Sequence, residues 1–129
     1  MRQQYHFRNI EGKMFIWNVN KIIAENKHLP IQSILVSEIR EVDEPYWFEQ
    51  SDHVTVRDFI NHIQLINEAS LDYPIVLCSE GRIIDGMHRV VKAVLLQQTH
   101  IKAIQLLHPL APDYIDVDPE TLPYDEEAL

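Results

Sequence analysis

Residues 73–106, YPIVLCSEGRIIDGMHRVVKAVLLQQTHIKAIQL, hold the pattern that decides the fold. Ile75–Cys78 is a short apolar run behind Pro74, and Ser79-Glu80-Gly81 turns it back into Arg82-Ile83-Ile84 as a hairpin does. Met87–Gln97 then sets Val90, Val91, Val94 and Leu95 at helical spacing, and Ile101–Leu107 reads as a buried strand. Strand, turn, strand, helix and strand in 34 residues imply an α/β (α+β) fold, a small mixed sheet packed by three or so helices.

The chemistry of that stretch gathers at Asp85-Gly86-Met87-His88-Arg89, where a strand gives way to a helix. The first turn of a helix leaves backbone N–H groups without intrahelical acceptors, and the helix dipole adds positive charge at the same end. Together they favour an anion, typically a phosphate. Gly86 allows close backbone approach, and Met87 contributes a first-turn amide. His88 and Arg89 add a titratable donor and a permanent cation, and Arg89 offers a bidentate grip on phosphate. Lys92 follows at spacings of four and three and can face the same side. Asp85 is either the N-cap of the helix or a carboxylate beside the bound phosphate.

Upstream, Asn18 is placed to cap a helix over Val19–Asn26, and Ile34-Leu35-Val36 is a strand running into an acidic loop, Glu38 to Glu44. Tyr46-Trp47-Phe48 either anchors that loop on the core or forms a stacking wall. Thr55 and Asp58 open a helix over about residues 55–69 as a capping-box variant, with Val56, Phe59, Ile60, Ile63 and Ile66 or Asn67 on its apolar stripe and His62 in solvent. Residues 1–13 read as irregular or edge chain. From His108 onward prolines recur among acids, which divides the chain into a domain over 1–108 and an acidic, Pro-rich tail over 109–129 that partly wraps the body through Leu110, Tyr114 and Ile115.

Composition narrows the function. The net charge is −9, and residues 113–129 hold seven of the 20 acids with no Lys or Arg. Such a chain is a poor match for duplex DNA, where neutralising phosphates dominates affinity, so DNA binding by this chain alone is not expected. Cys78 is the single cysteine, which excludes an internal disulfide and a cysteine metal site. The seven histidines show no metal-ligand spacing. No apolar run approaches a membrane span, and the first residues lack a signal-peptide core; a cytoplasmic protein is expected.

The run PIVL…GRIIDGMHRVVKAVLLQQ…IKAIQL resembles the ParB/sulfiredoxin superfamily, in which a strand, a DGxHR-like helix start, an amphipathic helix and an I-x-A strand follow one another. LPIQSILVSEIREVDEP resembles, more loosely, the family's first box. The resemblance implies a nucleotide or small phosphorylated ligand, ATP/ADP or CTP with Mg²⁺, at Gly86, Met87, His88, Arg89 and Lys92. It implies phosphoryl transfer to a small molecule as in the relatives that phosphorylate free serine, with Asp85 and one of Glu41, Asp43 or Glu44 as catalytic carboxylates. Sulfiredoxins carry a nucleophilic cysteine before the His-Arg pair; Met87 stands there, and a thioether is no thiolate, so sulfinic acid reduction is not expected. DNA-segregation members carry a helix-turn-helix after this fold, and little chain follows Leu107. The alternatives are a non-catalytic interaction module, with the acidic tail and the aromatic triplet as its surfaces, and, ranked last, a partition-related DNA-binding protein.

Overall fold

The computed structural model describes residues 3–48 and 54–124. The chain forms two compact units, Met1–Leu29 with His108–Leu129, and Pro30–Leu107. The boundary therefore differs from the expected domain over 1–108. Much of the C-terminal segment read as a tail belongs to a folded unit, and positions 125–129 of it lie outside the described residues.

The reason is visible in the first unit. Strands β1 (Tyr5–Ile10) and β2 (Lys13–Asn18) form a hairpin in register from Tyr5↔Asn18 to Ile10↔Lys13. Its two-residue turn holds Glu11 at φ 51° and Gly12 at φ 83°, the handedness that matches twisted flanking strands. A third strand, β7 (Tyr114–Ile115), pairs antiparallel with β2 and leaves β1 at an edge, the second of the two expectations for residues 1–13. Acids of the C-terminal segment serve β2 and its helix. Asp116 Oδ1 accepts from Met14 N at 2.8 Å, and Asp113 takes Asn18 N at 2.8 Å and Lys21 Nζ at 2.9 Å. Helix α1 (Val19–Glu25) starts at the expected cap, Asn18 accepting from Lys21 N at 3.0 Å. Ile16, Val19 and Ile22 are buried.

The second unit is built on a four-stranded sheet in the order β3-β6-β4-β5: β3 (Gln32–Leu35), β4 (Ile75–Leu77), β5 (Ile83–Asp85) and β6 (His100–Gln105). β4 and β6 run parallel, so the chain must cross over between them, and helix α3 (Met87–Leu95) makes the crossing. The remaining pairs are antiparallel, which gives the small mixed sheet of an α+β fold. Helix α2 (Val56–Glu68) begins with the expected capping box, Thr55 Oγ1 accepting from Asp58 N at 3.1 Å and Asp58 Oδ2 from Thr55 N at 2.9 Å. The acidic loop is instead two 3-10 turns, Val36–Glu38 and Arg40–Asp43. Among the described residues no helix is long and apolar enough to cross a membrane.

Helix α3 meets the sheet along a different line from the one its pattern suggests. Met87, Val90 and Ala93 are buried, whereas Val94 and Leu95 are exposed. Ala93 and Ala103 are both fully enclosed in one core cluster with Ile75, Ile83 and Val90. Small side chains at that crossing let helix and sheet approach closely, and the approach fixes which stripe turns inward. The helix ends at Leu95, two residues short of expectation, because Gln97 enters the left-handed region at φ 58°. Gln98 N then donates to Ala93 O at 2.9 Å and Gln97 N to Val94 O at 3.0 Å, the paired bonds of a Schellman stop made without glycine.

Candidate functional site

All nine residues singled out from the sequence fall in the Pro30–Leu107 unit, but the fold gives them different tasks. Gly86 occupies the N-cap position of α3 at φ 107°, and no side chain caps the first turn. Its missing Cβ makes room for the protein itself. An added Cβ would lie 2.7 Å from Ile75 Cγ2 and 2.9 Å from Arg89 Nη2. Met87 directs its side chain into the core at 8% exposure, so only its backbone belongs to the junction.

Asp85 is not the N-cap; it pairs with Arg89 across one turn, Oδ2 to Nη2 at 3.0 Å. The same Nη2 lies 3.3 Å from Pro74 O, and Arg89 Nε is buried with no acceptor. Lys92 leaves the junction. Its ammonium donates to Asn67 O at 3.0 Å and Ala69 O at 2.6 Å, the carbonyls ending α2, where a cation is favourable.

The three loop acids separate cleanly. Asp43 is exposed. Glu44 binds Arg82 Nη1 through both oxygens, at 2.7 and 2.8 Å. Glu41 is 3% exposed; Oε2 accepts from Ile83 N at 2.6 Å and Oε1 is buried without a partner. β5 is the sheet's last strand, and the Glu41 carboxylate occupies the amide that an edge strand leaves open.

His88, in the first turn of α3, meets a partner that the sequence reading left in solvent. His62 Nδ1 lies 2.9 Å from His88 Nε2, and Trp47 stacks on both rings, with centroids at 3.9 Å from His62 and 4.6 Å from His88. The imidazole centroids are 5.1 Å apart, too close for rings on opposite faces of the indole, so they lie side by side on one face. Phe48 stacks on Phe59 with centroids 5.4 Å apart. A signal for His62 existed: it sits four residues before Ile66, the one buried residue of α2, and so shares its face. A cavity of about 320 Å³ opens beside the cluster, lined by Trp47, Phe48, Val54, Asp58, Asn61 and His62.

No protein-family model, curated protein or solved structure matches this chain.

Burial lowers the pKa of both histidines. The His62 and Arg89 charges push His88 further down against Asp85, and Asp58 opposes the burial effect at His62. A ring-to-ring bond needs one nitrogen with a proton and one without, so the doubly charged pair loses the bond and sets like charges together. The folded state therefore holds its protons less tightly than the unfolded chain, whose histidines titrate near pH 6.5. The stability that this pair contributes is present above about pH 6.5 and lost as pH falls below it towards the folded values. Urea midpoints followed through Trp47, with Trp17→Phe removing the other indole, are expected to fall from pH 7.5 to 5. His62→Gln is expected to flatten that slope, and an unchanged slope in the variant excludes the pair as its source.

Proposed function

We propose that the Pro30–Leu107 unit is a ParB/sulfiredoxin-like domain whose Gly86–Arg89 turn binds the phosphate end of a nucleotide or another small phosphorylated ligand. The observation that carries this reading is the opening of α3: a left-handed Gly86, no side-chain cap on the first-turn amides, and His88 and Arg89 in the same turn. Arg89 is held by Asp85 through Nη2 alone, and its buried Nε still needs an acceptor, which a phosphate oxygen supplies. Asp85 has a second role in this reading. It fixes the guanidinium beside the amides before the ligand arrives.

Mg²⁺ carried in on a nucleotide takes most of its ligands from phosphate and water, so one or two carboxylates suffice. In this reading Asp85 gives one and Glu41, whose Oε1 has no partner, gives the second. Bound there, the ion neutralises charge on the transferring phosphoryl group. Phosphoryl transfer to a small hydroxyl compound is the enzymatic form of the proposal. Lys92 and Glu44 drop out of it, since α2 and Arg82 hold them. A cytosolic setting suits nucleotide use and a single thiol.

Thermal unfolding with ATP, ADP, CTP and GTP, each with Mg²⁺, tests the reading. A ligand at a hundred times its Kd adds about 2.7 kcal/mol of stability. At least one nucleotide is expected to raise Tm, and Arg89→Ala, compared with its own ligand-free Tm, is expected to lose the shift. No shift with any nucleotide, or the same shift in Arg89→Ala, refutes it.

One observation favours the interaction-module reading as runner-up. The apolar stripe of α2 is largely uncovered, with Val56 77% exposed and Phe59 and Ile63 each 52% exposed. Removing 109–129 does not test that reading, because it also removes β7 from its sheet.

A further inference from the structure

The cavity beside the histidine pair has a chemistry opposite to that of the α3 start. Among the described residues its lining joins two aromatic rings, Trp47 and Phe48, to the carboxylate of Asp58 and the amide of Asn61, with His62 and Val54 beside them. Among the described residues no Lys or Arg lines it. Asp58 accepts from Thr55 N through Oδ2, and among the described residues no Lys or Arg pairs with it. The hydrogen bonds to Thr55 hold its carboxyl below the usual carboxylate range, so it is charged at neutral pH. His62 is neutral there, because burial lowers its pKa.

We propose that this cleft is a binding site for a small organic ammonium ion, held by the Asp58 carboxylate against the Trp47 and Phe48 rings. The faces of aromatic rings are electron-rich and attract cations, and an ammonium group desolvated between ring and carboxylate gains from both. An anion meets Asp58 with no compensating charge. A neutral molecule of the same shape removes water from that carboxylate and gives nothing back. The volume, about 320 Å³, lies at the small end of ligand sites and suits an amine of one ring or a few carbons. Asn61, one turn on from Asp58, offers a carbonyl acceptor for a second ammonium proton. The inference uses none of Gly86, Met87 or Arg89, although its Trp47 and His62 touch His88 of the α3 start.

Benzylammonium and its neutral counterpart benzyl alcohol make the comparison, followed by Trp47 fluorescence in the full chain carrying Trp17→Phe. The ammonium ion is expected to bind saturably and roughly tenfold more tightly than the alcohol at pH 7.5. Asp58→Asn keeps a carbonyl for the Thr55 amide and is expected to bring the two ligands to equal affinity. Should that variant unfold, Asn61→Asp decides instead: a second carboxylate on the same wall is expected to raise benzylammonium affinity several-fold and leave the alcohol unchanged. Equal binding of amine and alcohol by the parent protein, or an Asn61→Asp variant without preference for the amine, overturns the proposal. Inorganic phosphate is expected to bind Asp58→Asn as it binds the parent, and that variant is what tells the two sites apart, since Trp47 touches both.

Discussion

Gly86→Ala is expected to destabilise the Pro30–Leu107 unit by about 2–4 kcal/mol, combining the strain of a left-handed backbone with overpacking. The sequence alone suggests a glycine kept for a ligand's approach. The structure adds a reason internal to the protein: φ is 107°, and the position of a Cβ lies 2.7 Å from Ile75 Cγ2 and 2.9 Å from Arg89 Nη2. Ile75 is fully buried in the middle of the core and cannot give way cheaply, so the helix start must move or the guanidinium must leave Asp85. Either response alters the proposed phosphate site, so lost ligand binding should accompany lost stability. Urea unfolding followed through Trp47 measures the first and nucleotide thermal shifts the second. A loss below about 1 kcal/mol means that the junction is looser than these distances require.

Glu41→Ala is the second large effect, expected to cost about 2–4 kcal/mol, since it removes a charge-assisted bond and leaves the Ile83 amide without an acceptor on the buried side of an edge strand. Glu41→Gln is the informative companion. It keeps a carbonyl for Ile83 N and is expected to recover most of that stability, while removing the charge on the oxygen that the protein leaves unpartnered. If Glu41 also serves a metal–nucleotide complex, Gln should fold nearly normally and lose the Mg²⁺-dependent part of any nucleotide shift. If its role is to close the edge of β5, Gln should behave like the parent in both measurements. A Glu41→Ala protein as stable as the parent removes the structural role.

The parts of the molecule that could be read in advance share one property: their signals are local. Asn18 before Val19, Thr55 with Asp58, and the Pro74–Leu106 succession of elements depend on neighbours a few residues away, and all appear in the expected order, with their ends shifted by one or two residues. What escaped depends on partners far along the chain. That Tyr114 and Ile115 pack back on the fold is legible, but not that they do so as a strand on β2, about a hundred residues earlier in sequence. Lys92 is at helical spacing from Arg89, yet the end of α2 offers it carbonyls that helical spacing cannot foresee. The choice among Glu41, Asp43 and Glu44 was closed to sequence reasoning for the same reason. Their positions differ by one to three residues, but a 3-10 turn sends one inward to Ile83, one into solvent and one to Arg82. His62 was legible in part, through its shared face with Ile66, and was passed over because a lone histidine on a surface helix is ordinary.

The threading of the two units has a consequence for synthesis. The Tyr5–Asn18 hairpin leaves the ribosome early, but its third strand arrives only after the whole 30–107 unit has been made. At about 5–20 residues per second, that interval is of the order of seconds to tens of seconds, long against hairpin formation in microseconds. The middle of the chain can therefore finish folding while the beginning still waits for the end. During that interval the β2 edge, with Phe15, Ile16 and Trp17 on it, is open to any other nascent strand. Truncated products ending before Tyr114 are thus expected to keep that edge open.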